Sequence, residues 1–149
     1  MEIQKRFKHS MPVQIRFSDV DQFGHMNNSV YFSLYDLAKT TYINDVLGKR
    51  DWKKIAIVVA NINANFFAPV YFSDDIVIET SVIHLGNTSF TLLQRAVCDK
   101  TGDVKCECKT VMVCFDLQKN EPATLTEINK ELISKYEEKT LEELSQKSK

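Results

Sequence analysis

The sequence predicts an α+β domain in which an antiparallel sheet wraps one long helix. Three observations carry that prediction. After Asn27 the chain keeps a helical period as far as Gly48. Between Ile55 and Leu117 four segments read as strands, with no convincing helix among them. The whole has 149 residues, 44% hydrophobic and 26% charged, which fits one globular domain able to bury roughly 68–70% of its unfolded surface.

In chain order, Pro12 leads into Val13-Gln14-Ile15-Arg16-Phe17-Ser18, an alternating segment that reads as a short strand. A polar loop follows from Asp19 to Asn27, with Gly24 inside it. Asn27, Asn28 and Ser29 can each cap a helix, and Gly48 is a natural stop. Within that helix Tyr31, Tyr35, Ala38 and Tyr42 share one face, which Val30, Leu34 and Leu37 widen toward half the circumference. A stripe this broad exceeds what a surface helix needs, so the helix should be enveloped.

The strands come next: Ile55 to Phe67, Asp75 to Leu85, Thr88 to Cys98 and Val104 to Leu117, expected as a meander. Gly86-Asn87 and the Asp99 to Asp103 stretch supply turns. In the last strand Lys105, Glu107 and Lys109 alternate with Cys106, Cys108 and Thr110, the half-buried pattern of an antiparallel sheet. Beyond Pro122, Leu125, Ile128, Leu132 and Tyr136 recur at helical spacing, and the charged tail from Glu137 should fray or pack weakly. The chain thus reads as a single domain over 1–149, with its core at about 12–117 and the C-terminal helix and tail at about 124–149.

Charge narrows the partners. Nineteen basic against twenty acidic residues leave a net charge of −1, which argues against nucleic acid as a ligand. No stretch approaches the roughly 18 apolar residues of a membrane span, and Met1 to Ser10 shows no secretory signal. Cys98, Cys106, Cys108 and Cys114 read as reduced, mostly buried thiols. The expected address is the cytoplasm.

Chemistry concentrates in Asp19-Val20-Asp21-Gln22-Phe23-Gly24-His25-Met26-Asn27-Asn28. Two carboxylates, a glycine, a histidine and two asparagines stand directly before a helix N-terminus. Free backbone amides and the positive end of the helix dipole suit an oxyanion there. A nearby carboxylate can serve as nucleophile or general base. By composition alone, the same residues are also what any strand-to-helix loop uses for turns and caps.

This segment resembles the signature of hotdog-fold acyl-CoA thioesterases in the 4-hydroxybenzoyl-CoA thioesterase-like group: a strand, Asp-x-Asp-x-x-Gly-His-x-Asn-Asn, then a tyrosine on the helix. The element order, Phe67-Ala68-Pro69 with the later Asp75, and the Thr88-Ser89-Phe90 strand start extend the likeness over about residues 12–117. The resemblance implies hydrolysis of acyl-CoA to carboxylate and CoA. Asp21 then corresponds to the catalytic carboxylate, as nucleophile or as base for water, and Asp19 to a residue that fixes the loop. Asn28 corresponds to the position whose backbone N–H polarises the thioester carbonyl. His25 either orients the loop or contacts the thioester. Gly24 permits close approach to the ligand; with Asn27, Tyr31 and Asn63 it makes up the expected substrate-facing set. Tyr31, on the broad apolar face of the helix, reads as core or pocket wall and not as catalyst. Asn61, Asn63 and Asn65 share a strand face that is either solvated or turned to a polar pocket.

CoA enters as part of the substrate, so no cofactor is expected. No metal is expected either, since His9, His25 and His84 are scattered. No Gly-x-Ser-x-Gly elbow and no Gly-rich phosphate loop is present. Some family members carry a basic cluster where this chain has Gly86, Asn87 and Thr88; Arg95, Lys100, Lys105 and Lys109 are the candidate replacements for the CoA phosphates. Phe66, Phe67, Phe72 and Phe90 could shape an acyl channel or simply pack the core. The family pairs exposed sheet edges, so a homodimer or homotetramer is expected, with sites built between chains. Two alternatives stand beside this reading: hydrolysis of acyl groups on acyl-carrier protein, and a non-catalytic acyl-CoA-binding module.

Overall fold

The computed structural model describes residues 6–48 and 55–146. Its elements are β1 (His9–Val13), a 3-10 turn (Phe17–Asp19), α1 (Asn28–Leu47), β2 (Ile55–Phe66), β3 (Ile76–Leu85), β4 (Ser89–Cys98), β5 (Val104–Asp116), β6 (Glu121–Pro122), α2 (Glu127–Glu137) and α3 (Leu141–Ser145). The strands form one antiparallel sheet in the order β1-β3-β4-β5-β2, with β6 on β5. This is the α+β class expected. Contacts divide the described chain into two compact units. Of the described residues, one draws on 6–42, 64–80 and 94–108; the other on 43–48, 55–63, 81–93 and 109–146.

In the first unit the helix stripe is the core. Tyr31, Tyr35 and Ala38 are buried with Ile76 and Ile78 of β3, Ala96 of β4, and Cys106 and Cys108 of β5. Each large side chain fully buried this way contributes roughly 1.5–3 kcal/mol. Burial pushes the Cys106 thiol up to about 11. All four cysteines are free, and three of them are buried. The expected width of the helix stripe was too generous by one residue. Leu37 is 56% exposed, because a single layer of sheet covers only part of a helix circumference.

The face of β3 turned away from α1 carries Glu79, fully buried. Its carboxylate is paired with Arg95 and with Arg6, and it also accepts the Phe7 N–H at 3.3 Å. Arg6 reaches on to Asp99 at 3.2 Å, and the Arg95 guanidinium lies 4.0 Å from the centre of the Phe7 ring.

Three expectations need correction. The first strand ends at Val13, where the expected Val13–Ser18 strand was to begin: β1 pairs with β3 from His9↔Thr80 to Val13↔Ile76, with Pro12 opposite Val77. A proline without an N–H is tolerated there because β1 is an edge strand. Only β3, β4 and β5 form a meander, since β2 lies beside β5 and not beside β3. The tail does not fray as a whole. Thr126 caps α2 through the Asn129 N–H at 3.1 Å, and Thr140 with Glu143 forms a capping box on α3. Leu144 is fully buried, whereas Ile128, expected on the inner face of α2, is 70% exposed. Residues 147–149 of that tail lie outside the described residues. Gly48 ends α1 at φ +79°, the left-handed conformation that a C-terminal stop uses. No described helix is long and apolar enough to cross a membrane.

Candidate active site

The loop between the 3-10 turn and α1 is closed by its own hydrogen bonds. Asp19 is 3% exposed. Its carboxylate accepts the Arg16 N–H at 2.8 Å and the Arg16 guanidinium at 2.9 Å. The Arg16 hydrogen bonds hold the Asp19 carboxyl below the usual carboxylate range, against the opposing effect of desolvation. Its carbonyl accepts the Asn27 N–H at 2.9 Å, so one residue ties together both ends of the loop. Asp19 thus holds the loop in shape, as expected.

Asp21, two residues on, is exposed. Its Oδ1 accepts two backbone amides, from Phe23 at 2.8 Å and His25 at 3.2 Å. Its own N–H donates to the His25 carbonyl at 2.8 Å, and its carbonyl accepts the Gly24 N–H at 2.9 Å. Among the described residues nothing pairs with Oδ2. The carboxylate is therefore fixed by one oxygen and open at the other. Gly24 makes this turn at φ +81°, where a side chain would be strained although space for a Cβ is free. The turn therefore requires glycine for its backbone angle and not for any tight contact within the chain.

A second segment clamps the loop from the side. The Met26 N–H donates to the Val70 carbonyl at 2.8 Å, and His25 forms a bridge with Tyr71. The two rings meet edge to face, 5.2 Å between centres. Asp74 secures Tyr71 in turn, accepting its N–H at 2.9 Å. Val70, Tyr71 and Asp74 escaped the sequence reading. The one local signal is the Asp three residues after Tyr71, a common turn-forming spacing.

Asn27 and Asn28 are exposed at the start of α1. Asn27 donates its N–H to Asp19, and its carbonyl accepts the Val30 N–H at 3.0 Å. Among the described residues no acceptor meets the Asn28 amide, as the geometry of a first helical turn dictates. Tyr31 is 2% exposed and stacks edge to face on Phe66, 5.2 Å between centres. Burial pushes its phenol up to about 12, with the Val70 backbone acting the other way. Tyr31 therefore fastens the helix start to the Val70 segment, the core role of its two expected ones. Asn63 is exposed on β2 and belongs to the second unit; the cluster described here draws on the first unit alone.

Phe17, Phe23 and Phe72 are all more than half exposed, with the Phe17 and Phe72 rings 6.4 Å apart. Phe66 and Phe67 are exposed as well, whereas Phe90 is buried and packs the core. Of the basic candidates, Arg95 is buried against Glu79, and Lys100 is paired with Asp75 at 2.9 Å. Among the described residues no group of three or more His, Cys, Asp or Glu side chains is placed to hold a metal ion. Chemically the loop offers one open carboxylate oxygen, unpaired amides at a helix N-terminus, and an apolar surround.

The model of the thioesterase-like superfamily matches residues 15–134 of the chain. The acyl-CoA thioester hydrolase YbgC of Shigella flexneri is 25% identical over 117 residues, which cover 76% of this chain and 87% of that protein. The long-chain acyl-CoA thioesterase FadM of Escherichia coli is 27% identical over 115 residues, with the same coverage of 76% and 87%. A thioesterase of Thermus thermophilus, solved in complex with coenzyme A and Zn, superposes with a TM-score of 0.77 at 25% identity. That match covers 92% of this chain and 100% of the other.

Proposed function

The chain belongs to the thioesterase-like superfamily, with a hotdog fold, and on that premise we propose that it hydrolyses acyl-CoA to carboxylate and CoA. The observation that carries this reading is the Asp21 carboxylate, fixed at Oδ1 by two amides and open at Oδ2, in the loop that leads into a helix N-terminus. The thioester carbonyl oxygen docks on the Asn28 N–H, which stabilises negative charge as it develops. Asp21 acts in one of two ways. As general base it takes a proton from water, and the water oxygen bonds to the carbonyl carbon. As nucleophile it forms a mixed anhydride that water then opens. In both routes the C–S bond breaks, CoA leaves as thiolate, and the proton released from water ends on it. A thiolate is a good leaving group, so no strong general acid is required.

The same reading assigns Gly24, Asn27 and Asn63 to the substrate side and uses no cofactor beyond the CoA that the substrate carries. His25, held against Tyr71, orients the loop through its backbone. Phe17 and Phe72, paired beside the loop, offer an apolar surface for the acyl chain. Acyl groups on a carrier protein present the same thioester, so the carrier is a second variable of the assay. A second copy of the chain belongs to the proposal. β2 is an edge strand with Val58, Val59, Ile62 and Phe66 exposed, and edge-to-edge pairing would cover it. A cytoplasmic address is supported by the four free thiols.

The test is thiol release from acyl-CoAs of graded chain length, with acyl-carrier-protein substrates alongside. The wild-type chain should release thiol, and Asp21→Asn should lose about 100-fold or more. Zero release across the panel would leave the non-catalytic binding module as the better account, whereas equal release by both proteins would take Asp21 out of the chemistry.

A further inference from the structure

Gln94 on β4 is fully buried, and its partners are unusual for a core side chain. Its Nε2 donates to the Tyr35 carbonyl of α1 at 3.0 Å and to Thr80 Oγ1 of β3 at 3.1 Å. Its Oε1 has no partner among the described residues, although it is buried. A buried acceptor left unpaired costs stability, and an apolar residue of the same shape would avoid that cost. Folding therefore gives little reason for an amide here. What the amide does supply is direction.

The Tyr35 carbonyl lies within the helix and already has an intrahelical donor available to it four residues on. A second donor from the sheet fixes the rotation and the axial position of α1 in a way that apolar packing by Tyr31, Tyr35 and Ala38 does not, because hydrophobic contact is non-directional. Thr80 takes the second amide hydrogen, so the amide plane is set by two strands before it reaches the helix. Seven residues separate Tyr35 from Asn28, about 10 Å along the helix axis. A helix is stiff over that length, so a shift at Tyr35 moves the Asn28 amide by a comparable amount.

We propose that Gln94, oriented by Thr80, is a positioning residue that sets the register of α1 on the sheet and thereby aims the Asn28 amide at the reacting carbonyl. This rests on the thioesterase reading above. Displacement of an oxyanion donor by a fraction of an ångström lowers the rate of the chemical step more than substrate binding.

Gln94→Leu is the first variant. It should lower kcat about tenfold, leave KM within about twofold, and leave the thermal midpoint unchanged or higher because the orphan acceptor is gone. Thr80→Val, which keeps the volume but frees the amide to rotate, should lower kcat less, again at constant KM. Gln94→Glu supplies the pH signature. Its buried acid is neutral at neutral pH and can still donate one hydrogen to Tyr35. Its kcat relative to wild type should therefore fall as alkaline pH ionises it. Hydrogen exchange at the hydrogen-bonded amides of α1 from Phe32 to Lys39, faster in Gln94→Leu than in wild type, reads the seating of the helix without any substrate.

A Gln94→Leu enzyme with wild-type kcat, or one that loses kcat only in proportion to the folded fraction, would overturn the proposal. So would unchanged exchange at the hydrogen-bonded amides from Phe32 to Lys39. If the wild-type protein releases no thiol from any acyl-CoA, the thioesterase reading fails instead. The exchange measurement then still decides whether Gln94 sets the helix.

Discussion

Around Glu79 and around Asp21 the same functional group meets opposite treatment. Glu79 is fully buried, and two arginines and a backbone amide fill its oxygens. Asp21 is exposed, receives only two backbone amides on one oxygen, and keeps the other oxygen open. Asp19 stands between the two cases: buried like Glu79, saturated by Arg16, yet only two residues from Asp21. A carboxylate whose lone pairs are committed to cations is a weak base and a weak nucleophile. Backbone amides instead hold a carboxylate in place without filling both its oxygens. The difference separates a carboxylate that holds structure from one able to do chemistry, and spacing in the sequence does not reveal it.

Substitution should expose the contrast most strongly at Asp21. Asp21→Asn removes thiol release by about 100-fold or more, while its urea midpoint stays within experimental error of wild type. A large fall in stability would place Asp21 with Glu79 and dissolve the distinction. The reverse pattern is expected of Glu79→Leu. It leaves Arg95 buried without its carboxylate, which costs about 3–5 kcal/mol in denaturant unfolding. Thiol release per folded molecule should survive.

How much of this was legible in advance depends on the kind of signal each element leaves. α1 and the strands β2 to β5 were readable to within about two residues at each end because hydrophobic periodicity is written locally. The Asp19-to-Asn28 loop was readable as a candidate because its residue types cluster. β1 was misplaced because Pro12 looks like a strand boundary until its edge position is known. α3 was missed although Thr140 and Glu143 spell a capping box, since the charged tail around them hides the one buried side chain, Leu144. Tyr71 and Asp74 left only the turn spacing between them, because a clamp on the loop made through backbone bridging and ring contact depends on tertiary placement.

Acid titration sharpens the middle case. Folding holds the Asp19 carboxyl below the usual carboxylate range. Its stabilisation is therefore complete above that range and fades as pH falls through the lower folded-state value. Amide exchange across residues 16–28 should show protection persisting to lower pH in wild type than in Arg16→Gln. Identical acid profiles would mean that the guanidinium contributes nothing to the loop. The smallest effect is expected at Tyr31. Tyr31→Phe removes the hydroxyl beside Val70 and should cost about 1 kcal/mol. It should leave the pH profile of hydrolysis unchanged, because the phenol stays neutral until about 12.

The buried thiols of β5 have a practical corollary for anyone measuring this enzyme. Reagents that report free CoA react with thiolates, and protein cysteines usually contribute an interfering signal. With its thiol pushed up to about 11 by burial, Cys106 stays in the unreactive thiol form near neutral pH. Cys108 and Cys114 are screened by burial, and Cys98 is half-buried. The dye that follows the product should therefore meet chiefly one protein thiol, Cys98, so that the blank is at most about one equivalent per chain.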